Sequence, residues 1–89
     1  MVDVEGARAL ARGLSSLAAA VEAAFERRDR AAAAAVRSWT GPLGLELARR
    51  TAAEAEDGRA IVAELRAEAA GWLTAAARAE DGWLVGGPW

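Results

Sequence analysis

The chain has 89 residues, 54% of them hydrophobic and 27% charged, which fits one globular domain and excludes a disordered segment. Its net charge of −2 argues against a binder of nucleic acid, because that ligand requires a positive face. The sequence contains no Cys and no His, which removes thiolate chemistry, the usual metal ligands and the usual general base. Since the remaining polar residues form no catalytic constellation, we expect no enzymatic activity, no catalytic residue, no cofactor and no metal.

The N-terminal segment does not have the pattern of a secretory leader. Asp3 and Glu5 precede the first apolar stretch, and Arg8 and Arg12 interrupt that stretch. Elsewhere charged residues recur too often for the roughly twenty apolar residues that a membrane-spanning helix needs. We therefore expect no membrane insertion, a cytoplasmic location before any export, and export by a leaderless route if it occurs.

The first predicted element is a helix over residues 4–38. It is rich in Ala, the best helix former, and Asp3 is a candidate N-cap. Large apolar residues recur at helical steps of three, four and seven, which predicts one packing face. The residues predicted to pack on this face are Leu10, Leu14, Leu17, Val21, Phe25 and Val36.

A turn is predicted at residues 39–42, near the middle of the chain. Gly41 is the residue type expected just past a helix end, and Pro42 follows it because proline cannot continue a helix. Because the connection is short, the helices on either side should run antiparallel. The sequence therefore predicts an all-α fold, an antiparallel helical hairpin over residues 1–81.

The second predicted helix covers residues 43–81 and carries an a/d heptad series. Val62, Leu65 and Trp72 are its large members, and we expect them to pack against the first helix. Gly58 lies on the same seam, where it either permits close helix contact or weakens the helix. The full series is Ala48, Thr51, Ala55, Gly58, Val62, Leu65, Ala69, Trp72, Ala76, Ala79 and Trp83.

A second stripe of small residues runs along this helix, and we call it the alanine stripe. It is either filler that favours the helix or a flat face for a partner helix. A two-helix hairpin needs only one apolar stripe, so a second stripe suggests pairing into a four-helix bundle. The stripe consists of Ala53, Ala60, Ala63, Ala67, Ala70 and Ala77.

The C-terminal residues 82–89 are predicted to be a flexible tail that starts at Gly82. The tail contains Trp83 and Trp89. It is either disordered, as termini often are, or it docks on a partner through these aromatic rings.

The segment Trp39-Thr40-Gly41, between two helices of similar length, resembles the motif of the WXG superfamily. These are ESAT-like small proteins associated with type VII (ESX) secretion. The resemblance implies homodimers or heterodimers in a four-helix bundle and leaderless export by a membrane ATPase. Members of the superfamily act as secreted effectors or as escorts of a larger substrate or toxin. The implied partners of this chain are itself (a second copy) or a second WXG-like protein, a toxin, or the ESX ATPase. It also implies that Trp39 and Gly41 shape the end of the hairpin.

One family feature is missing from the sequence. Many family pairs carry an export signal after the second helix, a Tyr followed four residues later by an acid, and this chain has no Tyr. Trp72 and Trp83 do not replace it, because Ala76 and Gly87 stand four residues further on. The signal therefore lies on a partner, or the chain is not exported alone. The alternative function is a cytosolic helical adaptor or antitoxin that neutralises a partner protein.

Overall fold

The computed structural model describes the backbone of residues 3–86 and the side chains of residues 3–82. It consists of two α-helices, α1 (Val4–Arg37) and α2 (Pro42–Gly86), and the described backbone contains no strand. The two helices pack against each other along their length. The all-helical architecture predicted from the sequence is therefore confirmed.

Residues 38–41 connect the helices and satisfy the backbone where α1 ends. The N–H groups of Ser38 and Trp39 donate to carbonyls of the last turn of α1, at 3.0 and 3.1 Å. Gly41 has a φ of +80°, in the left-handed region where a side chain would be strained. Pro42 is the first residue of α2, a position at which the missing N–H leaves no hydrogen bond unmade.

Ion pairs between the helices establish their direction and register. From one ion pair to the next, the α1 residue and its α2 partner both lie closer to the turn, so the helices are antiparallel. Two of the pairs have N–O distances of 2.7 and 3.1 Å, at Arg28 and Arg66 respectively. Exposed pairs each contribute only about 0–1 kcal/mol, so they select the register more than they stabilise the fold. The three pairs are Arg8–Glu80, Arg66–Glu22 and Arg28–Glu54.

The buried core of the hairpin is made of small side chains. Among the described residues the buried hydrophobic ones are five alanines and one valine, which lie at the middle of the rod and toward the end away from the turn. One buried methyl contributes about 0.8 kcal/mol, against roughly 1.5–3 kcal/mol for a whole Val, Leu, Ile or Phe side chain. The core therefore stabilises the hairpin weakly. Its members are Ala7, Ala11, Ala18, Val62, Ala69 and Ala76.

The hairpin is a thin rod of 71 × 16 × 14 Å. Its radius of gyration is 20.3 Å, whereas a compact chain of 89 residues would have about 12 Å. It exposes 6532 Å², whereas a compact protein of 9.2 kDa exposes about 4,900 Å². Folding thus leaves an unusually large surface in water.

The second helix extends beyond its predicted end. The structure continues α2 through Gly82 to Gly86, so residues 82–86, predicted as flexible tail, are helical. A glycine inside a helix is destabilising by only about 1 kcal/mol and keeps its backbone N–H, so Gly82 does not stop the helix. The side chain of Trp83 and all of Trp89 lie outside the described residues.

Candidate interaction surfaces

The contact face of α1 differs from the one predicted. Ala7, Ala11 and Ala18 are buried against α2, whereas Leu10 and Leu17 are both 49% exposed. Leu10 and Leu17 therefore do not lie on the contact face between the two helices, and their role in an interface with a partner stays a prediction. Two adjacent stripes of α1 are apolar. The stripe that contains Ala7, Ala11 and Ala18 packs against α2, because its small side chains let the two helices approach more closely. The other predicted packing residues of α1, Leu14, Val21, Phe25 and Val36, are half-buried.

The contact face of α2 coincides with the heptad series. Every member from residue 48 to residue 79 is buried or half-buried. Val62 is buried, and the larger side chains of Leu65 and Trp72 are half-buried along the same line. The contact face of α2 and that of α1, each called the seam of its helix, meet between the two helices. The rod therefore has two long sides, one on either side of this contact.

One long side is charged, and we call it the charged side. It carries the ion pairs Arg8–Glu80 and Glu22–Arg66, which join the two helices. Midway along it lies a groove of about 490 Å³ whose α1 wall carries Glu22, Glu26 and Asp29, and whose α2 wall carries Arg59 and Arg66. The charged side is therefore defined by Arg8, Glu22, Asp29, Arg59, Arg66 and Glu80.

At this groove the aromatic ring of one helix lies against a glycine of the other. A Cβ built on Gly58 would lie 2.5–2.9 Å from ring atoms of Phe25. Gly58 therefore permits the aromatic ring to lie on the backbone of α2, which decides between the two roles left open by the sequence. A small residue on one helix and a ring on the other fix the relative level of the helices.

The opposite long side is apolar. Leu10 lies two residues after Arg8, a rotation of about 200° around a helix, so it projects on the other side of the seam. Leu17 repeats this position one heptad later. Ile61 of α2, 44% exposed, lies five residues before Arg66 and faces the same way. We call this surface the apolar side. Its apolar members are Leu10, Gly13, Leu17, Ala20, Ala24 and Ala31 of α1 with Ile61 and Ala75 of α2, and its α2 edge also carries the exposed Glu54 and Glu68, one heptad on either side of Ile61.

The contribution of Ile61 to this surface was missed by sequence reasoning. Ile61 lies outside the heptad series, so the helical period of α2 assigned it no packing role. The Phe25–Gly58 contact reveals its place, because Ile61 is one turn further along α2 and reaches the level of Val21 and Ala24. Only the register between the helices brings it beside the exposed leucines of α1.

The turn end of the rod exposes a third group, the tip patch of Trp39, Leu43 and Leu45. These side chains are 51%, 60% and 63% exposed. Gly44 is buried below the backbone of Trp39, and a Cβ there would lie 2.8 Å from the Trp39 carbonyl oxygen. The Trp39 backbone is thus tightly packed, while half of its side chain faces water.

The alanine stripe lies on the outer surface of α2. All of its members are exposed, including Ala63 and Ala67 near its centre. Leu73, which is 52% exposed, lies seven residues after Arg66 and seven before Glu80, so it belongs to the charged side. The stripe offers only methyl groups, so covering it would remove less apolar area from water than covering the leucines and the isoleucine of the apolar side.

Two further searches concern chemistry other than protein contact. Within the described residues, no group of three or more carboxylates is arranged to hold a metal ion. No helix in the same part of the chain is long and apolar enough to cross a bilayer.

Comparison with known protein families, with curated proteins and with solved structures gives no match to this chain. The similarity to the WXG superfamily depends on Trp39-Thr40-Gly41 and on the position of this tripeptide between two helices.

Proposed function

We propose that the chain is a non-enzymatic interaction protein that associates through its apolar side with a second helical hairpin. The observation that supports this most strongly is the distribution of apolar side chains. The described core consists of five alanines and Val62, while Leu10, Leu17 and Ile61 remain exposed on one side of the rod. A fold that leaves these three larger aliphatic residues in water gains most from a partner that covers them.

The exposed area is large enough to support such a partner. The hairpin exposes roughly 1,600 Å² more than a compact protein of its mass. Each partner in a standard stable interface buries about 800 Å², roughly half of this excess. One additional hairpin on the apolar side can therefore form a four-helix bundle without any further element.

The apolar side is a better contact surface than the alanine stripe. Helices of a four-helix bundle carry a band of apolar residues about three positions wide in each heptad. In α1 the seam and the apolar side form such a band, since residues such as Leu10, Ala11 and Leu14 lie side by side. The alanine stripe faces away from the seam, so it does not widen any such band.

The wider role of this association follows the resemblance to the WXG superfamily. We propose that the chain is a substrate or an escort of type VII (ESX) secretion and is exported by a leaderless route. Its partner in export would be a second copy of the chain or a second WXG-like protein. A toxin or the secretion ATPase would be a further partner. The support is that Trp39, Thr40 and Gly41 lie in the four-residue connection between two packed helices. Since the chain has no Tyr-based signal, the partner would supply it.

A second candidate is a cytosolic adaptor or antitoxin that covers a partner protein. Its support is the uncovered apolar side, through which the hairpin can cover a partner protein where the chain is made. Fractionation of cells with a working type VII system separates the two. Protein in the culture medium or on the cell surface supports export, and protein found only in the cytosol excludes it.

The association itself is tested by thermal unfolding at several protein concentrations. If folding depends on pairing, the midpoint temperature rises as the chain becomes more concentrated, because mass action favours the complex. A folded chain whose midpoint is high and the same at every concentration would contradict pairing with its own copies. Adding a candidate partner and measuring the midpoint again tests pairing with a different hairpin.

A further inference from the structure

We infer that the turn end of the rod binds the surface of an anionic lipid bilayer end-on, through the tip patch and the arginines behind it. The inference goes beyond the proposed function, because it concerns an end of the rod that pairing along the apolar side would leave uncovered. It requires no membrane-spanning helix, since only side chains at the turn would enter the headgroup region.

The first argument is the distribution of charge along the rod, which the net charge of −2 does not show. Residues 27–53, centred on the turn, contain six arginines and two acids, a net charge of +4. The rest of the chain therefore carries a net charge of −6. At a rise of 1.5 Å per residue, the basic part covers about the last 16 Å of each helix. One end of the rod is thus basic although the whole chain is acidic.

Most of the arginines at this end are not neutralised within the hairpin. Among the described residues, two members of the group form ion pairs, Arg28 with Glu54 and Arg50 with Glu46. The other four form none and are exposed, and each arginine near an anionic bilayer surface strengthens binding about fivefold. These four are Arg27, Arg30, Arg37 and Arg49.

The second argument is the tip patch at the extremity of the same end. Leu43 and Leu45 are the most exposed large apolar side chains among the described residues, at 60% and 63%. They lie two residues apart on α2, so they project on opposite sides of its first turn, about 200° apart. Trp39, 51% exposed, packs its carbonyl against Gly44 between them. The apolar side chains therefore surround the end of the rod instead of forming one face.

This arrangement fits a fluid surface better than a rigid one. A partner helix could cover one side of the first turn of α2, but not both sides at once, whereas lipid molecules can close around the whole end. The ring of Trp39 has the amphipathic character that is enriched at the headgroup level, and apolar side chains at an interface enter the acyl boundary by about 5–10 Å. Nucleic acid fits less well, because Leu43 and Leu45 cannot stack on bases as aromatic rings do.

The end-on orientation also keeps the acidic part of the rod away from the lipid. The nearest acids outside the basic end are Glu26 and Glu54, about 16–18 Å from the turn along their helices. That is about twice the Debye length of 8 Å at physiological salt, so their repulsion by the surface is largely screened. Arg37 is the last residue of α1, and Arg49 lies about 10 Å along α2. Attraction by the arginines therefore dominates at the surface.

Binding can be measured with the full chain by cosedimentation with vesicles. The chain should bind vesicles of phosphatidylcholine that contain phosphatidylglycerol at least about tenfold more tightly than vesicles of phosphatidylcholine alone, and concentrated salt should weaken this binding. Absence of binding to the anionic vesicles, or equal binding to both kinds, would overturn the inference. A single-stranded oligonucleotide that binds as tightly as the anionic vesicles would overturn it as well, because the end would then be a general site for polyanions.

Two pairs of matched variants test the two parts of the surface. Leu45→Gln should weaken binding to the anionic vesicles about fivefold, and Leu73→Gln, a similarly exposed leucine far from the turn, should change it less than about twofold. Arg49→Gln should weaken it about fivefold, and Arg78→Gln, near the other end of the rod, less than about twofold. All four side chains are exposed, so each variant should keep the helix content of the parent chain by circular dichroism. Equal losses within either pair would contradict the inference.

The orientation can be read from an environment-sensitive fluorescent label, because the chain has no Cys to remove. Thr40→Cys places a label at the turn, and Ala60→Cys places one on the outer surface of α2 about 27 Å away; both positions are exposed. Anionic vesicles should shift the emission to the blue at residue 40 and leave it unchanged at residue 60. Equal shifts at both positions would mean that the rod lies flat, which overturns the inference. The proposed association is measured without lipid, so failure of one does not imply failure of the other.

Discussion

The charged side and the apolar side of the rod differ in what they already contact. On the charged side, Arg66 binds Glu22 across the helices, and the ring of Phe25 lies on Gly58. On the apolar side, Leu17 and Ile61 face water. The charged side is therefore largely satisfied within the hairpin, whereas the apolar side has one ion pair, Arg28–Glu54, and leaves its large aliphatic residues uncovered. The difference indicates that one side sets the register of the helices, while the other side provides the energy of association.

The strongest test of this difference is a charge at the centre of the apolar side. Leu17→Glu should weaken self-association at least 100-fold, because a carboxylate would be buried without a partner. Leu17 is half exposed in the hairpin, so the secondary structure of the single chain should tolerate the change. Light scattering gives the mass and circular dichroism gives the helix content.

Ser16→Glu is the matched control for this variant. Ser16 is the neighbouring residue, exposed on α1 and turned about 100° away from Leu17. It should keep the association constant within about threefold, since exposed substitutions usually change free energy by less than 0.5 kcal/mol. An equal loss of association in both variants would mean that the apolar side is not the interface.

The contact on the charged side predicts a smaller effect. Gly58→Ala should destabilise the fold by about 1–2 kcal/mol. The new methyl group must displace the Phe25 ring, and the energy cost of this displacement exceeds the gain in helix propensity. Gly71→Ala is the control, since a Cβ there meets nothing within 4 Å. It should stabilise α2 by about 0.5–1 kcal/mol. Urea unfolding measures both, and a stabilised Gly58→Ala variant would refute the contact.

The ion pairs of the charged side should contribute less than this contact. Glu22→Gln removes the carboxylate that binds Arg66 at 3.1 Å. Because both side chains are about half exposed, the loss should be about 0.2–1 kcal/mol at low salt. It should shrink further in concentrated salt, which screens exposed charges. Urea unfolding at two salt concentrations checks this, and a loss that does not depend on salt would contradict it.

The alanine stripe should give the smallest effect. Ala67→Glu adds a charge to the exposed outer surface of α2, away from both long sides that the comparison concerns. We expect the native mass to stay the same and the free energy of unfolding to change by less than about 0.5 kcal/mol. A shift of the mass to that of the single chain would identify the stripe as a contact face and refute its role as filler.

The sequence determines some of these features and not others. The seam of α2 was readable because one heptad series, including Val62 and Trp72, contains no charged residue. In α1 two adjacent stripes are apolar, so the period could not decide between Ala11 and Leu10. The end of α2 was misplaced because a glycine weakens a helix without terminating it. The apolar side needs the register between the helices, which neither helix encodes alone.

The central claim is that the bare hairpin depends on association, and the native mass tests it most directly. Sedimentation equilibrium of the unmodified chain, from ~1 µM to ~1 mM, should show the mass changing from one chain to twice 9.2 kDa. Helix content should rise together with the mass. A cooperatively folded species that stays at 9.2 kDa over the whole range would contradict the account.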